Sequence, residues 1–337
     1  MSDEQQLMNR RQFLKASGAA AALPLLGSCE GGSRWDKEAY IKSKRSRVAI
    51  LAADRYGNSL RDTIVRGLRL FRLEVAGKRV LLKPNLVEFD PQSVINTHPA
   101  LIEAAVDAFK SLGAGEVIVA EGPGHRRDNE YLLSASGLYD VLKEHRIRYV
   151  DLNNDDVRST RLRSRFTALG QLYLPETLYR ADLLVSMPKL KTHHWAGVTL
   201  SLKNMFGVVP GSIYGWPKNA LHWAGINGSI VDINSSLPLP RFAIVDGIVG
   251  MEGNGPLQGE AKKSGVLVFG EDLVAVDATA ARLMTIEPTK VKYLEMAGQF
   301  LGNLGLEEIE QLGESPDRYR QDFRVIERFS HLKKLTG

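Results

Sequence analysis

Lys189, Lys191, His193, His194, Trp195, Lys203 and Asn204 fall within sixteen residues of one another in the stretch Pro188–Pro210, PKLKTHHWAGVTLSLKNMFGVVP. Lys189 and Lys191 occupy alternate positions, which share one face of an extended chain and could present two cations to one anionic group. Lys203 and Asn204 add a third ammonium and an amide, on or at the end of a helix expected to begin near Trp195. His193 is the candidate acid/base group or metal ligand, because imidazole titrates near neutrality and coordinates through a neutral nitrogen. A loop histidine bonded to backbone is the alternative. His194 is adjacent, and on an extended segment the two rings would point to opposite sides, so one of them is expected to reach a given ligand.

Other stretches supply partners. Lys83-Pro84-Asn85 places a lysine and an amide at a strand end, where Pro84 turns the chain and both side chains could face an anion. Glu121-Gly122-Pro123-Gly124-His125-Arg126-Arg127 carries an acid, a flexible turn and three basic groups, without the spacing of a dinucleotide fingerprint or a P-loop. In Asp246–Pro256 (DGIVGMEGNGP) four glycines surround Asp246 and Glu252, which could ligate a hard cation or act as acid and base in a loop that lets backbone approach a ligand. The candidate catalytic residues are therefore His193 and Glu252. The anion-binding set is Lys83, Asn85, Lys189, Lys191, Lys203 and Asn204, and a divalent metal would draw on Glu121, His193, Asp246 and Glu252. Asp277 reads as a helix-dipole residue near the start of its own helix.

These groups need a frame, and the pattern of apolar residues provides one. Arg47–Ala53, Arg79–Leu82, Glu116–Ala120, Tyr149–Leu152, Ala181–Met187, Phe242–Val245 and Gly265–Phe269 read as short buried strands. Between them, Leu60, Ile64, Leu68, Phe71 and Val75 recur every three or four residues in Asn58–Ala76, and Pro99–Leu112, Asn129–His145, Ser229–Leu237 and Ala275–Met284 also read as helices. Alternating strands and helices predict an α/β fold with a mostly parallel, doubly wound sheet and helices on both faces. Asn154–Gly170, polar and rich in arginine, is expected to be an inserted excursion with a solvated face. In such sheets ligands bind outside the carboxyl ends of the strands, where Lys83, Glu121 and the Pro188 stretch fall. The organisation expected is a signal over residues 1–29, a tether over 30–46, an α/β domain of one body or two lobes over 47–315, and an extension over 316–337.

Asn9-Arg10-Arg11-Gln12-Phe13-Leu14-Lys15 precedes the apolar run Ala16–Leu26, which is too short to span a bilayer. It resembles a twin-arginine export signal, which implies the twin-arginine translocation machinery as a partner. Leu26-Gly27-Ser28-Cys29 resembles a lipobox that would lipidate Cys29 and anchor the protein to a membrane leaflet; cleavage to a soluble periplasmic protein is the alternative. Cys29 is the only cysteine, which leaves no internal disulfide and no cysteine-ligated iron–sulfur cluster. A net charge of +5 spread over 337 residues, with acids and bases interspersed, argues against nucleic acid as a partner.

The motifs KPN (Lys83–Asn85), NTHP (Asn96–Pro99), PKLKTH (Pro188–His193), SLKNMFG (Ser201–Gly207) and DGIVGMEGNGP (Asp246–Pro256), in that order, resemble the family catalogued as domain of unknown function 362. The resemblance implies an α/β fold and export in some members. Some relatives carry a cysteine-rich, ferredoxin-like module, which implies redox settings; this chain lacks it. Two functional classes follow: an exported enzyme, with redox chemistry as the preferred subtype, acting on a small anionic substrate or phosphorylated cofactor, or a non-catalytic lipoprotein that captures an anion or metal. An assembly factor holding an exported partner is a third.

Overall fold

The computed structural model describes residues 33–124 and 128–333. The twin-arginine and lipobox segments, including Cys29, and His125, Arg126 and Arg127 lie outside the described residues.

The apolar runs form strands because both of their faces are covered. In β1 (Ser46–Ala52), Ala49 and Leu51 join the core that helices Leu60–Leu70 and Pro99–Ser111 enter, while Val48 and Ile50 on the opposite pleat are equally inaccessible to water. Helix Leu273–Leu283, with Ala275, Ala278 and Ala281 fully buried, packs on β1 from that second face. Strands β2 (Arg79–Pro84), β3 (Glu116–Glu121) and β4 (Arg148–Asp151) follow, then a two-stranded excursion of β5 (Val157–Thr160) with β6 (Leu172–Pro175). Next come β7 (Leu183–Met187), β8 (Lys189–His193), β9 (Gly197–Thr199), β10 (Arg241–Asn254), β11 (Gln258–Gly270) and β12 (Ile309–Gly313). The main sheet runs β12-β1-β11-β10-β7-β2-β3-β4, with β8 beside β10 and β9 beside β8. It is an α/β fold whose large sheet is mostly parallel: β11 alone of the eight-strand path runs antiparallel to both neighbours.

Several expectations change. PKLKTH is strand β8 rather than loop, because β10 continues past β7 and pairs with β8 at Asp246 and Met251. The chain after Trp195 forms β9, and the helix begins only at Ser201. The glycine-rich stretch Asp246–Pro256 is likewise the second half of β10 and the tip of its hairpin with β11. Its glycines serve close strand approach: a Cβ on Gly250 would sit 2.5 Å from the Leu190 carbonyl oxygen. At the N-terminal side, Trp35 stacks on Phe300 with centroids 4.7 Å apart, so residues from 34 onward join the domain rather than dangling as a tether. In the C-terminal stretch, Phe323 is buried and Val325 bridges Gly253.

Candidate functional site

The carboxyl ends of β2 and β3 lie side by side, which sets Lys83 against Glu121. Lys83 Nζ donates to both oxygens of Glu121, at 2.6 and 2.7 Å, and to Asn204 Oδ1 at 3.2 Å. Glu121 also accepts from the backbone N–H groups of Leu86 and Gly122. Neither side chain reaches water. Asn204, on the short helix Ser201–Asn204, donates back to the Lys83 carbonyl and to Ser186 Oγ, so the pair is framed on every side. Gly207 closes the frame, since a Cβ there would lie 2.2 Å from Glu121 Oε1 and 2.6 Å from Lys83 Nζ. Burial favours the neutral amine of Lys83, lowering its pKa, and Glu121 opposes that shift.

Above this floor opens a cleft of about 320 Å3, bordered by Lys191, His193, His194, Trp195, Lys203 and His222 among others. Strand β8 ends at His193 and the chain turns at once, so both adjacent histidines line the cleft, their rings 5.0 Å apart and 29° from parallel. The expectation that only one could reach the site fails because the extended conformation stops between them. His193 Nδ1 accepts from the backbone N–H groups of Trp195 and Ala196, which leaves the proton on Nε2. Burial, reinforced by Lys203, His194 and Lys191, holds His193 well below the usual histidine range. It is a neutral N–H donor, not the near-neutral base anticipated from sequence. His194 and His222 bond the other way: each Nδ1 donates to a carbonyl, of Gly255 and Lys218 respectively. Burial lowers the pKa of His222 as well.

The cleft lysines differ in what they are bound to. Lys191 is fully buried and donates to the Ile95 carbonyl at 2.8 Å, and burial pushes its pKa well down. Lys218, in left-handed backbone conformation, donates to the carbonyls of Gly122, Phe206 and Gly207, and burial lowers it to about 7. Lys203 is half-buried and hydrogen-bonds no acceptor among the described residues; it lies 4.8 Å from the Phe206 ring centroid. Burial and the nearby Lys83 lower it to about 8. Asn85 Oδ1 and Thr199 Oγ1, both in the lining, are buried without a hydrogen-bond partner among the described residues.

Three residues singled out by sequence lie elsewhere. Lys189 pairs with Asp246 at 2.8 Å, and Tyr56 completes that triad by donating to Asp246 at 2.8 Å; neither Lys189 nor Asp246 lines the cleft. Glu252, well along β10, is held by Arg324 at 2.8 Å and Lys262 at 3.2 Å, fastening the C-terminal stretch to the hairpin. The proposed metal set is thus dispersed, each of its carboxylates already neutralised by a lysine or arginine. Among the described residues no three His, Cys, Asp or Glu side chains gather to hold a metal ion. Asp277 also has another role. It sits in the middle of its helix and accepts from Ser201 N and Leu202 N, capping the helix that carries Lys203 and Asn204. Lys218 and His222 escaped the sequence reading; a lysine and histidine four apart in a stretch rich in aromatic residues were the available signal.

Residues 7–27 match the twin-arginine translocation pathway signal sequence, so the chain is addressed for export. It is similar to a thylakoid-associated protein of Synechocystis sp., 28% identical over 223 residues that cover 64% of this chain and 65% of that one. The chain therefore spans just under two thirds of that relative's length. Among solved structures it resembles a Thermotoga maritima protein at 13% identity and a TM-score of 0.36, over 74% of this chain and 60% of that one. It also resembles the lactate racemase apoprotein of Thermoanaerobacterium thermosaccharolyticum at 14% identity and a TM-score of 0.37, over 66% and 55% of the two chains. Residues 80–282, more than half of the sequence and spanning every side chain of the cleft named above, match the model of the domain of unknown function DUF362, and the chain belongs to that family.

Proposed function

We propose that this exported protein binds a small anionic ligand in the cleft above the Lys83–Glu121 pair and exchanges protons with it. The supporting observation is that Lys203 Nζ, His193 Nε2, Asn85 Oδ1 and Thr199 Oγ1 border one cleft with no hydrogen-bond partner among the described residues. Buried polar groups are nearly always paired, so the two buried oxygens left open at one hollow, Asn85 Oδ1 and Thr199 Oγ1, favour a ligand that completes them. The sign of the charge follows from the lining. Among the described residues its one carboxylate, Glu121, is spent on Lys83, whereas Lys203 is bound to none. His193 offers a neutral N–H donor to an oxyanion, and His222, whose pKa burial lowers, can take a proton from the bound molecule through Nε2. Imidazoles and amines support acid–base chemistry ahead of the redox subtype.

Leu26-Gly27-Ser28-Cys29 supports anchoring through Cys29 in the same reading, and the mass of the mature N-terminus checks it. The cleft is tested by thermal unfolding in the presence of small carboxylates, phosphate and sulfate. A ligand at a hundred times its dissociation constant should stabilise the wild type by about 2.7 kcal/mol, and Lys203→Met should lose most of that gain. Equal stabilisation of both proteins overturns the assignment.

A further inference from the structure

We infer that Lys203 is a nucleophile that condenses with the carbonyl carbon of an aldehyde- or ketone-bearing anion to form a protonated imine. The inference rests on the cleft being a ligand site and assigns the class of ligand. Five lysines surround the ends of β2 and β8, and four have their amines committed. Lys83 and Lys189 are bound to carboxylates, and Lys191 and Lys218 to backbone carbonyls. Among the described residues Lys203 alone of the five has neither; its Nζ lies over the Phe206 ring, 4.8 Å from the centroid.

That setting disfavours the ammonium in two ways. No carboxylate among the described residues is paired with it, and the Lys83 ammonium lies close enough to repel it. Its pKa, lowered from 10.5 to about 8, leaves roughly 300-fold more neutral amine at pH 7 than an ordinary lysine has. Proton acceptors and donors stand around it: His222 and His193 each feel the charge of Lys203, the first with Nε2 open and the second with an Nε2–H to polarise a carbonyl oxygen.

The chemistry balances without another reactant. Lys203 ammonium gives a proton to His222 Nε2, and the freed lone pair forms a C–N bond as the C=O π electrons move to oxygen. The oxygen leaves as water, taking two of the three original ammonium hydrogens, one of them returned through His222. The product is a C=N bond to a nitrogen that keeps one hydrogen and the positive charge.

The test uses glyoxylate, a small anionic aldehyde, with cyanoborohydride to reduce any imine to a stable amine, followed by peptide mass mapping of the folded protein. The expected result is one dominant adduct on Lys203, rising with pH through about 8, and lost at that position in Lys203→Arg. Adducts spread over surface lysines such as Lys37 and Lys263, with Lys203 unmodified, overturn the inference. Lys203→Arg also separates this claim from the previous one. It keeps the cation, so retained anion-dependent stabilisation without trapping in either protein would sink the nucleophile alone, while trapping without anion stabilisation would sink the anion-binding reading alone.

Discussion

Replacing Glu121 by alanine should be among the most damaging single changes near the cleft. The Lys83 ammonium would keep no carboxylate at a position that water does not reach, and the N–H groups of Leu86 and Gly122 would lose their acceptor. Removing one partner of a buried ion pair costs about 3–5 kcal/mol. A second route gives a similar figure. Lys83 can escape by shedding its proton, which at pH 7 costs about 4.6 kcal/mol at 1.36 kcal/mol per pH unit below an ordinary lysine pKa near 10.4. For a domain of this size the loss corresponds to a melting temperature roughly 6–20 °C lower. The pH dependence carries a definite sign. In the variant, unfolded Lys83 binds a proton that the folded chain does not, so stability rises with pH over the window below 10.4, by about 1.4 kcal/mol per unit. Urea unfolding of wild type and Glu121→Ala at pH 7, 8 and 9 measures this directly, and Lys83→Met combined with Glu121→Ala should recover much of the loss. A penalty under about 1 kcal/mol, or one that does not shrink with pH, would refute the buried pair.

Other consequences follow from individual contacts. Burial raises the Asp277 carboxyl to about 7, above its unfolded value, so its contribution to stability is present at low pH and lost as pH rises from about 4 through 7; Asp277→Asn should flatten that slope in urea melts. Glu252→Gln should cost only about 1 kcal/mol, because Arg324 is more than half exposed, and should leave anion-dependent stabilisation unchanged in thermal shift assays. Changing Arg10 and Arg11 to lysine should hold the precursor on the inner side of the membrane, as fractionation and immunoblotting would show.

The parts of this molecule that could be read from sequence are those fixed by local periodicity. Leu60, Ile64 and Leu68 mark helix Leu60–Leu70, and Pro99 at the first position opens helix Pro99–Ser111. The strand ends that carry Lys83 and Glu121 could be placed for the same reason, but not the bond between them. That bond depends on β2 and β3 being neighbours, which is a property of the assembled sheet. Glycines misled the reading of β10, where their absent side chains admit the backbone of β8. Lys189 and Lys191 share a strand face as alternation requires, yet one meets Asp246 and the other a carbonyl, because partners arrive from distant segments. Lys218 and His222 reach the cleft only because the chain after Pro210 folds back over Gly122.

The claim that this cleft receives an anion is tested most directly by a crystal structure grown with selenate or bromoacetate, whose heavy atoms are located by anomalous scattering. The account predicts a peak with its oxygens within hydrogen-bonding distance of Lys203 Nζ and His193 Nε2, above the Lys83–Glu121 pair. Anomalous peaks confined to exposed cations such as Lys263 or Arg318, with this cleft holding only water, would contradict it.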